Sequence, residues 1–437
     1  MKKLTILIAA LMLSNTALAA DAFTSTLRGH LIINPHTYVA PPKDAPYAFN
    51  KSGRFTGKGN IRVEKIGTII NKTGVPTPFA GQPLQGFSGI KTLRNDKFLL
   101  LTDNGFGSKR NSADAMLMFH IATLDFANDI ANIDQTIFVK DPNRIIPFPI
   151  LTEFSETRYL TGGDFDLESI QPIKDGYMVG EEFGPYLIKL DTNGVVTDFY
   201  ETIVNGKIYT GRDNPTIDFT KEDASYNVPR SGGYEGMAAS PDGTKLYPLL
   251  EKPTLEDGRP ATINGQRYLN IFEFDVAKGE FTDKVVKYPL EDGATAIGDF
   301  NLIDETRGLI IERDNHQGDA DLSCEKQPEP CFQKPAKFKR IYLIDMAQTD
   351  ENGLVKKLGY IDLLNIQDPN GLAKVGKRDD NVFKLPYFTI EDVDIIDDEN
   401  IIVGNDNNFP FTQGRDLNGP DLNEFILLHV GDFLKQK

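Results

Sequence analysis

FDLESIQPI (residues 165–173) and YMVGEEFG (residues 177–184) are two short apolar runs joined by Lys174-Asp175-Gly176. Runs of this length read as strands, and a link containing Asp and Gly is hairpin chemistry, because both tolerate the backbone of a tight reversal. The first run carries an acid near its start, Glu168, and the second ends in the polar pair Glu181-Glu182. The same order recurs in GFSGIKTL (86–93) with FLLLTDNG (98–105), where Ser88 stands in place of the first acid, and in GYEGMAAS (233–240) with KLYPLLEK (245–252). It recurs again in GDFNLID (298–304) with GLIIERDN (308–315), and in TIEDVDIID (389–397) with IIVGNDNN (401–408). A third apolar strand follows each pair, at 115–124, 186–191, 268–275, 340–346 and 425–430. A more polar fourth follows most of them, as at 197–204, 284–290 and 355–363.

A four-strand unit that returns after roughly 65–90 residues describes the blades of a β-propeller. The reading is an all-β fold with five visible repeats and five or six blades. A pair of β-sandwiches would share the local pattern but not its fixed order. The last repeat has little chain left for a fourth strand. NIRVEKIGTII (60–70) is expected to supply it from the N-terminal side and close the ring, which removes the open sheet edges. A sixth blade could lie in the divergent N-terminal segment, residues 23–42.

The chain has 437 residues, 47 basic and 63 acidic, with a formal net charge of −16. That charge argues against binding nucleic acid or anionic lipid through bulk electrostatics. Lys2 and Lys3, an apolar run over 4–13 and Ala17-Leu18-Ala19 read as a secretory signal peptide, too short to span a membrane. The expected organisation is a signal peptide over 1–19, an N-terminal extension over 20–59 and the propeller over 60–437. The protein is expected to be exported, to the periplasm or the medium, with no membrane span. In such a compartment disulfides persist. The two cysteines, Cys324 and Cys331, bracket EKQPEP and are expected to pair.

In a propeller the first strand of each blade lines a central channel. The repeat therefore gathers Glu168, Glu235, Asp299 and Glu391, with Ser88 in the remaining copy. The ends of the second strands add Asp103-Asn104, Glu181-Glu182, Glu251-Lys252, Glu312 to Asn315 and Asn405-Asp406-Asn407. Converging carboxylates must protonate, pair with Lys or Arg, or bind a cation. Oxygen-only donors suit Ca²⁺ better than a transition metal. The expected ligands are Glu168, Glu235, Glu391, Asp103, Glu182, Glu251, Asp314 and Asp406. Arg230, Lys252, Arg313, Asn104 and Asn407 are candidates to bind substrate, and the three basic residues could instead salt-bridge the acids. His316, beside the polar tips, is a lesser site candidate, and His120 reads as packed. G-x-S-x-G, P-loop, H-E-x-x-H and dinucleotide glycine motifs are missing. No catalytic side chain is assigned.

These segments also carry a family resemblance. FSGIKTL with LLTDNGFG, DLESI with VGEEFGPYLIKLD, GGYEGMAASPDGTKLY with LLEKP, and IEDVDIID with NDNNFPF resemble, in that order, the secreted proteins described as "esterase-like activity of phytase". The resemblance runs from about residue 59 to 433. It implies a propeller, Ca²⁺, and hydrolysis of a small-molecule phosphate ester or carboxylic ester. A lactonase-like hydrolase and a non-catalytic binding propeller are the alternatives.

Overall fold

In the strand Lys97–Thr102, Phe98 and Leu100 pack toward one neighbouring sheet, while Leu99 and Leu101 pack toward the other. Lys245–Leu250 and Arg307–Arg313 divide their side chains in the same way. Successive side chains of a strand point to opposite faces, so a strand buried on both faces reads as a continuous apolar run. That is why the second strand of each repeat shows no alternation of apolar and polar residues. The computed structural model describes residues 20–55, 64–65, 67–69, 71–221 and 225–437, so the expected signal peptide lies outside them.

Five sheets radiate from a common axis. From the axis outward, the first blade holds Phe87–Thr92, Lys97–Thr102, Met118–Asp125 and Ile130–Phe138. The second holds Leu167–Ile173, Gly176–Glu181, Tyr186–Leu190 and Val196–Glu201. The third holds Tyr234–Ala239, Lys245–Leu250, Gln266–Asp275 and Glu280–Pro289. The fourth holds Ala296–Leu302, Arg307–Arg313, Lys339–Thr349 and Val355–Asp362, with Ala22–Phe23 added in parallel outside. The fifth begins with Asp392–Ile395, Asn400–Gly404 and Asn423–His429. Each innermost strand touches the next, and the fifth returns to the first. A separate apolar cluster fills each of the five spaces between blades.

The ring is closed by an N-terminal strand, as expected, but a different one. Thr26–Ile33 runs antiparallel to Asn423–His429, with His30 opposite Ile426 and Ile33 opposite Asn423. It completes the fifth blade, so residues 23–42 form no sixth. Of the expected closing segment, residues 60–63, 66 and 70 lie outside the described residues, and Thr68–Ile69 pairs with Pro76–Thr77. The blade position is already filled by Thr26–Ile33, whose Leu27 and Leu31 are buried against the fourth- and first-blade sides respectively.

Part-way along the axis, side chains from the inner strands meet across the ring. Asn301 of the fourth blade donates to the carbonyls of Ile90 (3.2 Å) and Val393 (2.9 Å), in the first and fifth blades. Its oxygen accepts from Lys91 (3.3 Å) and from Gln171 of the second blade (2.8 Å). Gln171 also donates to the carbonyl of Met237 in the third blade, and Lys91 pairs with Asp394 at 2.9 Å. The fourth blade does not adjoin the first or second, so only a side chain near the axis reaches both.

Cys324 and Cys331 are bonded, at 2.02 Å between sulfurs. Their loop is held to the segment before the fifth blade by Arg378 and Lys384, which both pair with Asp319 and Asp321.

Candidate metal centre at one mouth of the channel

The inner strands share an irregularity that aims their acids. Pairing with the second strand slips between Leu167 and Ser169, between Tyr234 and Gly236, between Phe87 and Ile90, and between Ile297 and Phe300. A β-bulge inserts an unpaired residue and re-aims its side chain. The residues following the aligned apolar positions are Glu168, Glu235, Ser88 and Gly298, and Glu391 stands at the same place before the fifth blade's ladder. A Cβ on Gly298 would lie 2.1 Å from the carbonyl oxygen of Ile390, so the fourth blade has no room for an acid there. Asp299 is therefore one residue out of step. It accepts from the amides of Phe300 (2.7 Å) and Val393 (3.1 Å), and burial pushes its carboxyl up to about 7.

At the ends of the second strands, the residues in step are Asp103, Glu182, Glu251, Arg313 and Asp406, four acids and one arginine. Arg313 Nη2 lies 2.9 Å from Glu391, 3.2 Å from Glu251 and 3.3 Å from Glu235. Asn315 accepts from its Nη1 at 2.9 Å. Glu251 also meets Lys252 Nζ at 2.8 Å. On the other side of the mouth, Asp166, Glu168 and Glu182 each offer an oxygen, all within 4.8 Å of one another. Glu182, Glu235 and Glu251 form a second such group, so Glu182 belongs to both.

Most of these acids are buried, and their electrostatics follow. Burial first, then the neighbouring carboxylates, pushes Glu168, Glu182, Glu235 and Asp103 well above the usual carboxylate range. Burial and Glu391 push Asp406 up to about 8. For Arg313 burial acts against the charged form, but Glu391, Glu235 and Glu251 outweigh it and the guanidinium holds its proton more tightly than usual. Like charges held this closely out of water favour a proton or a cation between them.

Seven of the eight acids expected as ligands therefore gather here: Glu168, Glu235, Glu391, Asp103, Glu182, Glu251 and Asp406. Asp314 does not. Strand alternation turns it out of the channel, where it accepts from the amides of Lys337 (2.9 Å) and Phe338 (3.1 Å) and pairs with Lys339 at 3.1 Å. Its neighbour Arg313 takes the channel position. Lys252 stands at the rim, but Arg230 is 66 % exposed and pairs outward with Asp213 at 3.0 Å. Asn104 donates to Asp166 (2.6 Å) and so orients it. Asn407 accepts from the Gly86 amide at 3.1 Å and donates to the Asp421 carbonyl, a backbone-bracing role. His316 lies 3.4 Å from Asp314, outside the acid ring, and His120 is buried against Thr136.

Asp166 was not among the expected ligands. Its equivalents in the other repeats are Gly86, Gly233, Ala296 and Thr389, so it is an acid where its counterparts carry none. That break in the pattern is the signal that could have found it. An open groove of about 690 Å³ lies away from this site, at the outer strands of the second and third blades, beside Phe199, Tyr200 and Phe281.

Fold and site together define a five-bladed propeller with a ring of buried carboxylates at one mouth. The chain belongs to the phytase-like family described as esterase-like activity of phytase, whose model matches residues 82–409. A protein of Arthroderma benhamiae described as an uncharacterized secreted protein is 27% identical over 180 residues, covering 36% of this chain and 35% of the relative. The chain thus spans about a third of the length of that curated relative. Among solved structures, a luciferin-regenerating enzyme is 11% identical with a TM-score of 0.32, covering 79% of this chain and 92% of its own. A putative 6-phosphogluconolactonase from Bacteroides uniformis is 12% identical with a TM-score of 0.31, covering 81% and 87%. Among the described residues, no helix is long and apolar enough to cross a membrane.

Proposed function

We propose that this protein is a Ca²⁺-dependent hydrolase of small phosphate or carboxylic esters, acting outside the cytoplasm at the acidic mouth. The observation that carries the reading is the Asp166–Glu168–Glu182 group, three buried carboxylates within 4.8 Å of one another. Their donors are hard oxygens only, which fits a hard divalent cation. The disulfide and the relative's description as secreted support an exported protein.

A divalent cation bound there supplies a positive charge for a phosphoryl or carbonyl oxygen and acidifies a water. The chain's own groups do the rest. Asn104 fixes Asp166 through its amide side chain. Arg313 holds the opposite carboxylates in place, and Lys252 offers a cation at the rim to an anionic ester. Asp406 holds its proton near neutrality, as a general acid for a departing alkoxide must, while Thr389 Oγ1 (2.9 Å) and the Asn408 amide orient it.

The test is turnover of p-nitrophenyl phosphate, p-nitrophenyl esters and lactones by the exported protein, with Ca²⁺ and after chelation. Turnover of an ester that chelation removes, and that Glu168→Gln also removes, is expected. Ligand or Ca²⁺ binding without turnover of any of the three would favour a binding propeller instead.

A further inference from the structure

The ring carries a positive charge in the one blade that contributes no acid to it. Four blades end their second strands in an acid at the channel, and the fourth ends in Arg313. That blade also lacks a bulge acid, because Gly298 lies against the Ile390 carbonyl. The arginine therefore reaches into space that its own blade leaves open, and one nitrogen meets three carboxylates from the two adjoining blades. It is about 5% exposed and its Nε has no hydrogen-bond partner. Lys252 adds a second positive charge to Glu251. Among the described residues, no basic side chain lies within ion-pair distance of Asp166, Glu168 or Glu182.

We propose that Arg313 is a tethered counter-ion that occupies the place of a second divalent cation, so that the mouth takes one such ion, on the Asp166–Glu168–Glu182 side. This rests on the cation-binding reading above. The physical reason is competition for the same oxygens. Glu182, Glu235 and Glu251 could form a second cation group, but Glu235 and Glu251 already face the guanidinium. A second divalent ion there would have to displace it and would stand beside a buried, permanently charged group. The mouth would then hold two different positive centres, one exchangeable and one covalently fixed.

The experiment counts calcium ions on the intact folded protein by titration calorimetry and native mass spectrometry. The parent is expected to bind one Ca²⁺ at this mouth, Glu168→Gln to weaken it about a hundredfold or more, and Glu235→Gln to change it by less than about tenfold. Arg313→Gln is expected to bind two, and Arg313→Lys to keep one. Two ions in the parent, or one ion that Glu235→Gln abolishes and Glu168→Gln spares, would overturn the inference and leave the cation reading intact. No ion in the parent would overturn the cation reading itself. Should Arg313→Gln not fold, the parent count and the two glutamate variants still decide.

Discussion

His30 Nε2, on the strand that closes the ring, lies 3.1 Å from Glu424 Oε2 on the strand it pairs with. The same carboxylate receives Arg415 Nη2 at 2.7 Å and Nε at 3.0 Å, and the hydroxyl of Tyr387. Burial works against its ionisation, but Arg415 and His30 overcome this and hold Glu424 down at about 2. The stability it contributes is therefore complete above the ordinary glutamate value of 4.5 and is lost as pH falls through about 2. Glu424→Gln is expected to cost roughly 3–5 kcal/mol, because it leaves Arg415 buried without its partner. Hydrogen exchange should show the amides of Thr26–Ile33 losing protection first; uniform loss across all blades would contradict a local clasp.

Asn301→Ala should cost about 2–4 kcal/mol in urea unfolding, since it strands the Ile90 and Val393 carbonyls and takes one acceptor each from Lys91 and Gln171. Asn301→Leu should be no better, although it fills the space. A leucine variant as stable as the parent would mean that the axis needs volume and not hydrogen bonds.

Asp299 gives a slope of the opposite sign to Glu424. Its carboxyl is pushed up to about 7, so its contribution is fully present below its ordinary 3.8 and is lost as pH rises through about 7. Melting temperatures of chelated protein are expected to fall between pH 5 and pH 8, by an amount that corresponds to at most ~3 kcal/mol from this group. Asp299→Asn should flatten that fall while lowering stability at pH 5. A parent whose melting point is level over this range would contradict the assignment.

Ca²⁺ should raise the melting temperature, by the equivalent of about 2.7 kcal/mol at a hundredfold excess over Kd. Glu168→Gln should abolish most of that rise while leaving the chelated protein at least as stable as the parent, since it takes an ionisable group out of a crowded, buried set of carboxylates at nearly constant shape. An equal calcium shift in parent and variant would remove Glu168 from the site.

The sequence pattern shows the five repeats plainly, because strands buried on both faces have nowhere to put a polar residue. It shows most of the acids too, since those of the inner strands each follow an apolar residue (Leu167, Tyr234, Ile390) and those of the second strands close an apolar run. What it hides is a matter of single residues. Asp299 and Asp314 look like members of the ring, yet each is one position off, and one position along a strand is the difference between channel and blade interior. The residues actually in step are Gly298 and Arg313, which no search for acids would select. The closing strand was hidden for another reason. Residues 26–33 and 60–70 both alternate in a strand-like way, and nothing in such a pattern names the edge it will join.

The cross-ring contacts of Asn301 give the mouth a consequence beyond stability. They lie three residues along the strand from Gly298, so roughly 10 Å below the acids. Lys91, Gln171 and Asp394 complete the obstruction there. Side chains of the first, second, fourth and fifth blades thus cross the axis beneath the acids. If the mouth takes a small ester as proposed, entry and exit are expected at the same end, so a slow-leaving product would delay the next arrival.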